Sequence, residues 1–239
     1  MRFVSIDLET TGLDPLTDQI LQVGLCVGDT QTHTLLGSIH WNVLPPKGRV
    51  HGDVFAMSMN AGILKEIKEG VNCVPMEKIP ETIAKWLVGQ FGFSHDKDKR
   101  VKIPGTGVDV IPLSPVTVAG KNFGSFDLQF IKATWPAFGE LIPIRHRILD
   151  VGSLWLEADD LAVPDLKTCL KRAGIMKEVA HNAQEDAEDV ARCVLKYLDL
   201  CGTWRTVHDR VRDLIGSKDG AVLEDVVAVL GGHDDQNSV

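Results

Sequence analysis

Short apolar runs closed by turn residues dominate the first third of the chain, and helical stripes dominate its end. Phe3-Val4-Ser5-Ile6-Asp7-Leu8-Glu9 runs into Thr10-Thr11-Gly12-Leu13-Asp14-Pro15, a core strand stopped by a Gly and Pro turn. Similar runs predict three early strands ending near Asp7, Gly28 and Val43, laid out as an antiparallel meander. Helical spacing follows at about Met59 to Gly70 and Pro75 to Gly92. The stretch His95 to Pro115 is charged, then rich in Gly and Pro, and reads as a long loop or short hairpin. A strand at Val116 to Ala119 leads to a helix from Phe126 to Trp135, with Ser125 as its cap and Pro136 past its end. A last strand, His146 to Asp150, precedes helices at Val151 to Ala158, Pro164 to Ala173 and Ala183 to Leu200. The alternation predicts an α/β fold, a mixed five-stranded sheet flanked by helices on both faces.

The organisation expected is a main domain over residues 1–200 and a helical extension over 201–230, built from Trp204 to Ile215 and Ala221 to Leu230. A polar, disordered tail over 231–239 would follow. The length of 239 residues suits one core of this kind. A net charge of −8 excludes a general basic footprint for duplex nucleic acid, so any contact with phosphates has to be local. Lys121, Arg145, Arg147, Lys167, Lys171 and Arg172 are the cations placed to line such an approach. The five cysteines form no Cys-x-x-Cys pair, which argues against a disulfide framework or a zinc site and for a reducing compartment. No signal peptide and no apolar run of membrane-spanning length is visible, so a cytoplasmic protein with no membrane partner is expected.

Five residues fit none of this packing logic. Asp7 and Glu9 share one face of an apolar strand, where two like charges repel unless a cation lies between them. Asp127 lies in the first turn of its helix on the face of Phe130 and Ile131, where an unpaired carboxylate is expensive. Asp186 follows Asn182, a cap with Glu185 in the capping-box position. It stands beside the stripe of Ala187, Val190, Ala191, Val194, Leu195 and Leu198. His181 lies just before that cap, a candidate base. Hard oxygen ligands of this kind select Mg²⁺ or Mn²⁺ over Zn²⁺.

The order Asp-x-Glu in FVSIDLETTGL, Asn-x4-Asp in GKNFGSFDLQFI and His-x4-Asp in HNAQEDAEDV resembles the DEDDh 3′-to-5′ exonucleases. These form part of the DnaQ-like, ribonuclease H-like superfamily. The resemblance covers roughly residues 1–200 and includes the segment Leu149 to Trp155. It implies a ribonuclease H-like sheet in which Asp7, Glu9, Asp127 and Asp186 bind two divalent ions and His181 deprotonates the attacking water. It also implies that Thr10, Thr11 and Leu13 meet the terminal nucleotide, with Leu13 wedged against the last base, and that Asn122 and Phe126 add substrate contacts. Lys121 stands where many relatives have a histidine, and the spacing of Asn122 to Asp127 is nearer to oligoribonucleases than to polymerase proofreading subunits. The expected activity is removal of nucleoside 5′-monophosphates from single-stranded 3′ ends, DNA before RNA. An oligoribonuclease or RNA-trimming enzyme is the alternative within the class. A noncatalytic module that binds nucleic acid or a polymerase is the alternative outside it, and a polymerase or a second copy of the chain is the expected protein partner.

Overall fold

A computed structural model describes residues 1–91, 100–102, 109–110, 112–177 and 181–216. Three long antiparallel strands open the chain: β1 (Arg2–Thr10), β2 (Ile20–Asp29) and β3 (Thr34–Leu44). Helices α1 (Val54–Met59) and α2 (Ala61–Glu69), strand β4 (Cys73–Pro75) and helix α3 (Ile79–Phe91) follow. A small hairpin pairs β5 (Val101–Lys102) with β6 (Asp109–Val110). Then come β7 (Val118–Gly120), α4 (Asp127–Thr134), α5 (Phe138–Leu141), β8 (Leu149–Asp150), α6 (Val151–Leu154), α7 (Leu166–Arg172) and α8 (Ala183–Gly216). The main sheet runs β4-β3-β2-β1-β7-β8, with β4, β7 and β8 parallel to their neighbours.

Register decides which side chains reach the site. The pairs Val4 with Val27, Ile6 with Leu25 and Leu8 with Val23 point to one face of the sheet. There they form the main core with Val118, Phe130, Ile131, Ile83, Leu87 and Ile142 from the strand and helices beneath. The alternate pairs, Ser5 with Cys26, Asp7 with Gly24 and Glu9 with Gln22, point to the other face. That face receives the start of α8: Gln22 accepts from the Ala183 amide at 2.9 Å, and Ser38 of β3 donates to Glu188 at 2.6 Å. His40 and Gln184 are paired at 2.7 Å. Helices therefore cover both faces, as the alternation of strands and helices predicts.

Several expectations change in detail. β4 adds a sixth strand to the five expected, three residues ending on Pro75 and too short to show as an apolar run. The expected helix from Met59 is two helices meeting at Asn60, with α1 beginning five residues earlier, at Val54. Ser125 does not cap α4: its hydroxyl donates to the Asn122 carbonyl, and Phe126 stands at the cap. The expected break between Leu200 and Trp204 is absent, because α8 runs through both. By internal contacts the chain divides into Met1–Leu195 and Lys196–Val239, and Lys196–Gly216 is the described part of the second unit. The expected helix at Ala221 to Leu230, the tail at 231–239 and much of the 95–115 segment lie outside the described residues. Among the described residues no helix is long and apolar enough to cross a membrane.

Candidate active site

Three elements converge at the C-terminal end of β1. Asp7 and Glu9 project from its α8 face, and Asp7 stands opposite Gly24 on β2. A Cβ on Gly24 would lie 2.0 Å from the carbonyl carbon and oxygen of Ala183, so only glycine lets α8 begin directly over the sheet. Asn182 caps that helix as expected, accepting from Gln184 at 3.1 Å and from Glu185 at 3.3 Å. Asp186, in the first turn, is thereby set down beside the strand. Carboxylate oxygens of Asp7, Glu9 and Asp186 lie within 4.8 Å of one another.

Asp127 arrives from the other side. Val4 donates to the Thr117 carbonyl at 2.9 Å, so this edge of β1 faces β7. β7 ends at Gly120, and two positions beyond the last paired amide Leu8 donates instead to Asp127 Oδ1, at 3.0 Å. The carboxylate thus continues a ladder that the neighbouring strand has stopped supplying. It is 3% exposed, and it sits between Asp7 and Glu9 along the strand.

The protein offsets the charge of the cluster only in part, through Asn60, the Leu8 and Asp127 amides, His181 and Lys177. Burial, followed by the charges of Asp127, Asp186 and Glu9, holds the Asp7 carboxyl well above the usual carboxylate range. Burial and then Asp186 raise Glu9 to about 7, against a smaller downward pull from the Asn60 amide. Burial raises Asp127 to about 7 although its own amide and that of Leu8 donate to it. Asp186 is raised to about 6 by burial and then by Asp189, with His181 acting in the opposite direction. Its Oδ1 is buried and accepts no hydrogen bond. Four convergent acids with raised affinity for protons and an orphaned oxygen suit a hard divalent cation.

The other expected site residues are distributed less evenly. His181 is exposed, immediately before the Asn182 cap, in a left-handed conformation with φ of 49°. Leu13 is 84% exposed at the turn after β1, free to meet a ligand. Thr10 and Thr11 are buried and busy with the chain itself. Thr10 Oγ1 donates to the Gly12 carbonyl at 2.7 Å, and Thr11 Oγ1 accepts from the Gln19 amide at 2.8 Å. Asn122, with φ of 59°, donates its amide to Asp150 at 2.7 Å and accepts from Lys121 Nζ at 2.7 Å. The Phe126 ring packs on Phe130 at 5.1 Å, against the core. Of the cations placed on the approach, Arg172 is engaged internally in a two-pronged pair with Asp160 at 2.6 Å.

One element was missed. Helix α1 is bound to the turn after β1 at both ends: the Asp53 amide donates to the Thr11 carbonyl at 2.7 Å and Asn60 Nδ2 to the Thr10 carbonyl at 3.1 Å. It presents Val54, Phe55 and Met59 to solvent, and Asn60 at its end also bonds the Glu9 carboxylate. The signal was Asp53, a capping residue that accepts from the Phe55 and Ala56 amides.

No protein-family model and no curated protein sequence matches the chain. Solved structures do. The nuclease domain of 3′hExo, a DEDDh family member bound to rAMP, shares 12% identity over 83% of this chain and 92% of that one, with a TM-score of 0.56. The cell-death related nuclease CRN-4 shares 11% over 83% and 64%, with a TM-score of 0.57. Exonuclease I of E. coli in complex with a dT13 oligonucleotide shares 16%, covering 88% of this chain and 45% of that one, with a TM-score of 0.55. The chain has the ribonuclease H-like fold of the DEDDh exonucleases.

Proposed function

We propose that the protein is a metal-dependent 3′-to-5′ exonuclease that shortens single-stranded nucleic acid, DNA in preference to RNA, by one nucleoside 5′-monophosphate at a time. The observation that carries this reading is the convergence of Asp7, Glu9 and Asp186 within 4.8 Å, with Asp127 tied to the amide of Leu8 between the first two. A scaffold that only binds a partner has no physical need for four acids, two buried and two half-buried, at one end of a strand. Neighbours of the same fold include a DEDDh nuclease domain and an exonuclease in complex with single-stranded DNA, which supports the same chemistry here.

Asp7, Glu9, Asp127 and Asp186 are the residues that would hold two divalent cations, Mg²⁺ or Mn²⁺. When bound, such ions polarise the scissile phosphate and offset the charge that develops on the leaving oxygen. His181 accepts the proton of the attacking water as its oxygen bonds to phosphorus and the bond to the 3′ oxygen of the preceding nucleotide breaks. Exposed Leu13 and the apolar side of α1 receive the terminal base, and that favours chain ends over internal bonds. No element of the site reads a 2′-hydroxyl in this proposal, so RNA is a substrate alongside the preferred DNA.

Incubation of 5′-labelled single-stranded DNA and RNA with Mg²⁺ tests the proposal. It predicts a descending ladder, mononucleotide products, and loss of both in excess chelator. Full activity in chelator, or internal cuts, would overturn it. Degradation of RNA two to five nucleotides long with DNA untouched would transfer the site to the oligoribonuclease class.

A further inference from the structure

Lys177 precedes His181 by four positions. Its ammonium lies 2.9 Å from Glu185 Oε2 and 3.1 Å from Asp189 Oδ2, two acids one turn apart on α8. Asp189 is fully buried, and its second oxygen is taken by Arg192 at 2.8 Å. A buried carboxylate held by two cations is a stringent anchor, because removing either partner leaves charge without compensation. On the other side of His181, Asn182 caps the same helix, and the Ala183 amide bonds the helix start to Gln22 of β2.

In sequence His181 therefore stands between two attachments to α8, Lys177 before it and the Asn182 cap after it. Its left-handed backbone is a conformation that non-glycine residues keep only when the surroundings impose it. The preceding helix closes where the Ile175 amide bonds to the Leu170 carbonyl, and Lys177 adds an attachment to α8 two positions later.

We propose that Lys177 is a positioning residue: by bridging Glu185 and Asp189 it fixes where the His181 imidazole stands relative to Asp186. This rests on the reading of His181 as the base. A double-mutant cycle on the full chain tests it, with turnover of single-stranded DNA in saturating Mg²⁺ and Mg²⁺ affinity measured by calorimetry. Lys177→Met should lower kcat about tenfold with KM and Mg²⁺ affinity unchanged, and Lys177→Arg should restore most of the loss. In the His181→Ala background the same Lys177→Met change should cost less than twofold, since its effect passes through a residue already removed. Equal losses in both backgrounds, or a weakened Mg²⁺ affinity, would overturn the positioning role. If His181→Ala itself loses nothing, the fault lies with the exonuclease mechanism and not with the tether alone. Should Lys177→Met fail to fold, Lys177→Met/Asp189→Asn removes the unpaired buried acid and is read by the same criteria.

Discussion

Each acid of the site has a different dependence on the rest of the molecule, and substitutions should sort them. Asp7→Ala and Asp186→Ala should remove nearly all turnover and also the Mg²⁺-dependent rise in melting temperature, a readout independent of substrate. His181→Ala should cost about 10² to 10⁴ in kcat, the usual range for a general base, while the metal-dependent thermal shift persists. An unchanged rate would make that histidine a bystander. Leu13→Ala makes a different forecast: an exposed side chain contributes little to folding, so the melting temperature should hold while KM for single-stranded DNA rises about tenfold, worth about 1.4 kcal/mol. An unaltered KM would remove Leu13 from the base pocket. Thr10 and Thr11 were expected beside it, and their hydroxyls also hold the turn. Sequence shows which residues are polar, and not which already have partners.

At the level of elements, the meeting of β1, α4 and α8 rests on a few residues with no chemistry of their own. Gly24→Ala would place a methyl against the Ala183 carbonyl, so α8 must shift outward. Overpacking of this kind typically costs about 1 to 3 kcal/mol. Urea denaturation should show that loss, and DNA hydrolysis should fall more steeply than stability, because Asp186 rides on the displaced turn. Retention of full activity would show that the helix start can move without consequence. The strands and the cap at Asn182 were legible because their signals are local: alternation, apolar runs, an Asn before a helical stripe. Gly24 was not, since nothing in the run Val23-Gly24-Leu25 shows that a helix start some 160 residues later lies on it. Helix α1 was hidden for a related reason, its apolar residues facing outward and giving no core stripe.

Across the whole molecule, the raised carboxyls make stability depend on pH and metal together. Glu9 and Asp127 at about 7 and Asp186 at about 6 bind protons more tightly folded than unfolded. Their contribution is therefore complete below the unfolded values near 4 and is lost as pH rises through about 6 to 7. In chelator, melting temperature should fall between pH 4.5 and 8, and Mg²⁺ should reverse that fall most strongly at the upper end. A flat profile in chelator would mean that the acids are not crowded in solution. With a net charge of −8, phosphate contacts are few, so affinity for single-stranded DNA should weaken only shallowly with salt. The expected slope in log–log form is about −0.7 per contacted phosphate.

The bond between Leu8 and Asp127 has a consequence for descent. A lineage that abandoned hydrolysis could let Asp7 drift, for its removal relieves repulsion. Position 127 is different, because an amide in the middle of a buried sheet would lose its acceptor there. Asparagine keeps that acceptor without the charge. Inactive descendants of this chain should therefore carry Asp or Asn at 127 long after the other acids are gone, and a library selected for folding alone should show the same restriction.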